Sequence, residues 1–201
     1  MQTDQYRTLA EPSEGLYKEK GSRFLAFAYP VMTQDECKEL ITAAEKKYHD
    51  ARHHCYAWQL GPSESGAKYS DDGEPSGTAG KPIHGQILSA GLSNVLIVVV
   101  RYFGGIKLGT GGLFAAYKTA AADAIANGTV VEKTYQSVIS IEYPYGVMND
   151  VMKVMKSSSA EVLSQKFDMD CRITFTLRKS DVETLTGLLT AIEGLRLSVE
   201  S

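Results

Sequence analysis

Six consecutive apolar residues, Val95-Leu-Ile-Val-Val-Val100, run into a segment with five glycines within nine residues, 104–112, and an alanine-rich stretch follows. Apolar, mostly β-branched side chains without polar alternation fit a central strand buried on both faces. A run of six falls far short of the ~20 apolar residues that a membrane-spanning helix needs. Residues 110–127 then place Leu113, Tyr117, Ala120, Ala121, Ala124 and Ile125 at helical spacing, and Asn127-Gly128 supplies a stop that tolerates a left-handed backbone. The chain thus passes from a core strand into a helix through glycine, and the rest of the fold must be arranged around that unit.

On its N-terminal side the pattern predicts a strand over 23–29 ended by Pro30, then a helix to Lys47 capped by Thr33 or Asp35, with Cys37, Leu40, Ile41 and Ala44 on one face. A strand over 54–60, a polar glycine-rich loop over 61–80 and a helix from Pro82 to about Gly91 follow. Beyond residue 135 the texture is plainer: strand 136–143, helix 147–156, strand 160–167, strand 171–177, helix 180–191 and strand 195–200. Ser180-Asp-Val-Glu183 spells a capping box for the second of these helices. The order β-α-β-β-α-β is the ferredoxin-like pattern. Two α+β domains are expected, 1–132 and 135–201, joined near 131–135, with no repeat of fixed period.

Composition narrows the class further. With 43% hydrophobic and 22% charged residues the chain reads as globular, and a net charge of -3 excludes a globally basic nucleic-acid binder but not a local basic patch. Three cysteines, Cys37, Cys55 and Cys171, are too few and too scattered for a disulfide framework. The N-terminal Met1-Gln-Thr-Asp-Gln-Tyr-Arg7 has no apolar core of a secretory signal. A cytoplasmic protein without membrane association is the expectation.

Three segments carry chemistry. In Arg101-Tyr-Phe-Gly-Gly-Ile-Lys-Leu-Gly-Thr-Gly-Gly112 a glycine turn opens a helix, so unpaired N–H groups and the positive end of the helix dipole suit phosphate. Arg101 and Lys107 add charge, and no Asp or Glu lies between Val95 and Ala122. The segment is neither a P-loop nor a dinucleotide fingerprint; its bland reading is a tight corner where glycine permits close packing. In Tyr69-Ser-Asp-Asp-Gly-Glu-Pro-Ser-Gly-Thr-Ala-Gly80, Asp71, Asp72 and Glu74 stand among Ser70, Ser76 and Thr78. Such a set can hold Mg²⁺, border a binding site, or stitch a structural turn. In Arg52-His-His-Cys55, His53, His54 and Cys55 are metal-capable, but neighbours on a strand point to opposite faces, and a strand start with one histidine buried and one exposed is the expectation. Met148, Met152 and Met155 have core spacing on their helix.

Together, Lys20-Gly-Ser-Arg-Phe24, Ala51-Arg-His-His-Cys-Tyr-Ala-Trp58, the 70–82 loop and the 98–113 corner resemble the IMPACT/YigZ family over about residues 15–130, and the remainder resembles the small C-terminal domain of its YigZ-type members. The resemblance implies an N-terminal domain with the ribosomal protein S5 domain 2-like fold and a ferredoxin-like C-terminal domain similar to that of elongation factor G. Eukaryotic relatives regulate translation initiation by competing for the activator of a nutrient-stress kinase, a partner that does not carry over to bacterial members. The resemblance brings no catalytic residues. Small-molecule kinases of the same fold class carry a Pro-x-x-x-Gly-Leu-Gly-Ser-Ser motif that this chain lacks.

The leading expectation is a non-enzymatic, translation-associated module that binds RNA, the ribosome or another phosphate-bearing partner, with no cofactor, metal or catalytic residue assigned. Arg101, Lys107, Gly104, Gly105, Gly109, Thr110, Gly111 and Gly112 form its phosphate contact; Ser70, Asp71, Asp72, Glu74, Ser76, Thr78 and Lys81 border it; Arg23, Arg52, His53 and His54 widen the rim. The alternatives are a Mg-dependent enzyme acting on a phosphorylated or nucleotide small molecule, with Asp71, Asp72 or Glu74 as ligand or base, and a module for a protein partner of the translation machinery.

Overall fold

The computed structural model describes residues 4–200 and has mixed α+β architecture. Its contacts divide the chain into Tyr6–Glu132 and a smaller unit made of Lys133–Ser201 with Met1–Gln5. In the larger unit, β2 (Ser13–Glu19), β3 (Ser22–Pro30), β4 (His53–Gln59), β5 (Ala67–Ser70) and β6 (Val95–Tyr102) form one sheet in the order β2-β3-β6-β4-β5. Every neighbouring pair in it is antiparallel. β1 (Gln5–Leu9) and β7 (Val130–Thr134) pair separately.

The central place of β6 explains its composition. Val95, Ile97 and Val99 pack into a core with α2 (Gly80–Ser89) and α3 (Gly109–Ala126), while Leu96, Val98 and Val100 pack on the other face with Cys37, Ile41 and Ala44 of α1 (Gln34–Lys47). All six are fully buried, each worth about 1.5–3 kcal/mol relative to exposure. Thr33, and not Asp35, caps α1: its hydroxyl accepts from the Glu36 N–H at 3.2 Å, and the Glu36 carboxylate accepts from the Thr33 N–H. The stretch expected as one loop over 61–80 contains β5, and β1, β2 and β7 lie where no element is predicted. These strands are short or carry few apolar residues, so a one-sided edge leaves little periodicity to read.

The smaller unit runs β8 (Gln136–Pro144), α4 (Met148–Lys156), β9 (Glu161–Lys166), β10 (Asp170–Arg178), α5 (Val182–Thr190) and β11 (Arg196–Glu200), with antiparallel sheet order β11-β8-β10-β9. Ile139, Ile141, Ile173 and Phe175 face Val151, Met155, Leu185 and Leu189 in its core, and Met148 and Met152 pack at its margin. The capping box at 180–183 does not form. Residues Lys179–Asp181 wind into a 3-10 turn, Asp181 takes the cap position without a side-chain cap bond, and the Ser180 hydroxyl donates to Asp181 instead. Among the described residues no helix is long and apolar enough to cross a membrane.

Candidate anion-binding site

Antiparallel pairing gathers the two glycine-rich segments at one end of the large sheet. Register places Arg101 opposite His53 across β6 and β4, and Arg23 opposite Tyr102 across β3 and β6. β5 ends at Ser70 opposite Tyr56, so the loop that follows it folds back over the start of β4.

That loop is stitched by its own carboxylates. Asp71 accepts from the N–H groups of Gly77 at 2.7 Å, Ala79 at 2.9 Å and Gly80 at 2.8 Å, and so fills the N-terminus of α2. Burial raises the Asp71 carboxyl, but the three backbone donors outweigh it and hold it below the ordinary carboxylate value. Asp72 accepts from the His54 N–H at 2.6 Å, and its carbonyl oxygen lies 2.8 Å from His53 Nδ1. A carbonyl only accepts, so Nδ1 carries the proton. His54 is buried, with Nε2 on the Tyr48 carbonyl at 3.1 Å, whereas His53 is partly exposed. Ser70 Oγ accepts from the Asp72 N–H, the buried Thr78 hydroxyl donates to the Pro75 carbonyl, and Ser76 and Lys81 are exposed.

Glu74 turns inward. Its Oε1 takes Arg101 Nη1 at 2.6 Å and the Tyr117 hydroxyl at 2.8 Å, with His53 Nε2 at 4.0 Å. Arg101 is therefore not the outward phosphate ligand that the sequence suggests. It is 7% exposed, its charge is met by a carboxylate 27 residues earlier in the chain, and an acid-free stretch around it excludes no partner from elsewhere. Its guanidinium lies 5.5 Å from the Phe24 ring centroid and 5.6 Å from that of Phe103, and Nε finds no hydrogen-bond partner among the described residues. The Cys55 thiol donates to the Asp71 carbonyl at 2.9 Å, sits 3.3 Å from the Tyr117 hydroxyl, and is pushed up by burial, which suits packing and not nucleophilic attack. Burial pushes the Cys37 thiol up to about 11. Among the described residues no group of three or more His, Cys, Asp or Glu side chains is placed to hold a metal ion.

The corner itself is built differently. Gly104 lies against the backbone of Gly21, where a Cβ would come within 1.9 Å of the Gly21 carbonyl carbon, and its N–H donates to Ser22 Oγ at 3.1 Å. Glycine there is a packing requirement. α3 then opens at Gly109 with Leu108 in the cap position, no side-chain cap bond among the described residues and no acid in the first turn. Its first N–H groups have no intrahelical acceptor. Lys107, Thr110 and Gly111 are exposed; a Cβ at Gly111 would meet nothing within 4 Å and its φ is ordinary, so neither crowding nor backbone geometry asks for glycine. Phe103, Ile106 and Phe114 stand 56%, 56% and 44% exposed beside this turn. No pattern in the sequence assigns a role to these three or to the Tyr117 hydroxyl; two large apolar residues inside a glycine-rich turn are the available signal. Arg23 and Arg52 are exposed, Arg23 lying over the Tyr102 ring at 5.0 Å.

The arrangement can receive an anion at α3 and holds its own carboxylates at α2. The Impact N-terminal domain family matches residues 20–125, a stretch that holds both segments. The IMPACT family member YigZ of Escherichia coli strain K12 is 33% identical over 150 residues, covering 74% of each chain. An IMPACT family member of Haemophilus influenzae is 31% identical over 183 residues, covering 90% of this chain and 89% of its own. A solved structure described as a hypothetical protein superposes with a TM-score of 0.73 at 28% identity, covering 98% of both chains. With both glycine-rich segments inside the matched residues and the likeness extending along most of the chain, the protein belongs to the IMPACT family.

Proposed function

We propose that this chain is a cytoplasmic, translation-associated module that binds RNA, free or within the ribosome, at the N-terminus of α3. The carrying observation is the first turn of an 18-residue helix, which has no side-chain cap bond among the described residues and no acid of its own, with Lys107 exposed just before it. Phosphate suits both the free N–H groups and the dipole. Lys107 and the N–H groups of Gly109–Gly112 make the contact, Thr110 offers a hydroxyl, and Gly104 and Gly105 shape the turn. Arg101 supports from behind through Glu74. The 70–81 loop borders the site, with Lys81, Arg23 and Arg52 as outlying charge. The fold assignment that goes with this reading is S5 domain 2-like for the larger unit and ferredoxin-like for the smaller, the latter supported by the antiparallel order β11-β8-β10-β9.

Binding of purified protein to ribosomes and structured RNA across a salt series tests the reading, with Lys107→Ala beside the unaltered chain. Arg101 is left untouched, because its removal strands Glu74. Saturable binding that falls with salt and weakens in Lys107→Ala is expected; no binding at low salt overturns it.

A further inference from the structure

We propose that the α3 corner takes single-stranded RNA, with unpaired bases stacked on Phe103 and Phe114; this rests on the phosphate-binding reading above. The observation behind it is an exposed apolar surface in a segment with two exposed lysines. Phe103, Ile106 and Phe114 are each about half exposed, although none is needed to fill either core of the larger unit. Of the three basic residues in 95–122, Lys107 and Lys118 are exposed, while Arg101 is buried and paired with Glu74. Thr110, Phe114 and Lys118 follow one another at four-residue intervals on the exposed side of α3, so a ring face lies one turn from a hydroxyl and one turn from an ammonium group.

Phe103 is the better-built platform. The buried Arg101 guanidinium backs it at 5.6 Å, and that guanidinium is itself held by Glu74 at 2.6 Å and lies over Phe24. One ring face is thereby supported by a fixed cation while more than half of the residue stays open to solvent. Duplex RNA offers phosphates and hydroxyls to such a surface and leaves its ring faces unused, whereas unstacked bases bring a π face to each aromatic ring and a phosphate to each cation. The combination of open rings and the exposed Lys107 and Lys118 therefore selects the single strand.

The test is fluorescence anisotropy with a labelled, unstructured oligouridine about 12 nucleotides long, against an RNA duplex of equal length at the same salt. The single strand is expected to bind at least about tenfold more tightly, Phe103→Ala to weaken it about tenfold, and Phe103→Trp to restore it. Phe114→Ala gives a second, smaller loss and serves if Phe103→Ala fails to fold. Equal binding of strand and duplex, with both alanine variants unchanged and Lys107→Ala weaker, overturns the stacking inference while the phosphate reading stands. Failure of both RNAs and of ribosomes to bind overturns both.

Discussion

At the start of α2 the Asp71 carboxylate lies 2.8 to 2.9 Å from the N–H groups of Gly80 and Ala79, and the helix is furnished with an anion from its own chain. At the start of α3, Leu108 occupies the cap position, no side-chain cap bond forms among the described residues, and the first turn has no acid. Both helices begin in glycine-rich loops at the same end of one sheet, and both carry the partial positive charge of a helix N-terminus. One terminus is closed by a carboxylate of the fold, and the other has no side-chain cap among the described residues. Glycine-rich sequence therefore does not identify an anion site; what decides is whether a carboxylate from elsewhere in the chain has already taken the place.

The largest expected effect falls on the closed side. Glu74→Ala leaves the Arg101 charge buried and unpaired, and should cost about 3–5 kcal/mol, measured by chemical denaturation. Asp71→Asn weakens the closure of α2 and should cost about 2 kcal/mol while leaving RNA binding at α3 intact. It should also alter the acid limb of stability. The Asp71 carboxyl is lower in the folded chain than in the unfolded one, so its contribution is full above about pH 4 and is lost as pH falls through the folded value. The Asn variant should show less acid loss between pH 5 and 2, the pH range being set by the ordinary carboxylate value of about 4.

Smaller effects fall on the open side. Lys107→Ala should leave stability unchanged and lower RNA affinity several-fold, reducing the salt slope by about one. Gly111→Ala should stabilise the chain by about 0.5–1 kcal/mol, since alanine favours helix and the added methyl meets nothing within 4 Å. It should nonetheless weaken RNA binding if phosphate approaches the backbone there. An alanine variant that is more stable and binds equally well would show that the approach is made elsewhere.

Long, strongly periodic segments were legible in the sequence. β6 and the helix after it follow from an apolar run and a clear period, the cap of α1 was narrowed to Thr33 or Asp35, of which Thr33 serves, and the six elements of the smaller unit were placed in order although the capping box read for α5 does not form. β2 and β5 were not, because edge strands bury one face or less. At the site, Lys107 and the glycines could be placed at a turn from sequence, but the role of Arg101 could not. Glu74 reaches it only after β4 pairs with β6 and the loop after β5 returns over His53, an encounter between residues 27 apart. Tyr117 was legible as a core position of α3, yet its hydroxyl serves Glu74. A carboxylate in a turn looks the same in sequence whether it faces a ligand or the backbone.

Backbone amide NMR during titration with a short oligouridine tests the contrast between the two helix termini most directly. Saturable, salt-sensitive shifts are expected for Gly109, Thr110, Gly111 and Gly112, and none for Gly77, Ala79 and Gly80, whose N–H groups Asp71 already holds. Amides at the start of α3 that stay still, or that move no more than those at the start of α2, would contradict that contrast.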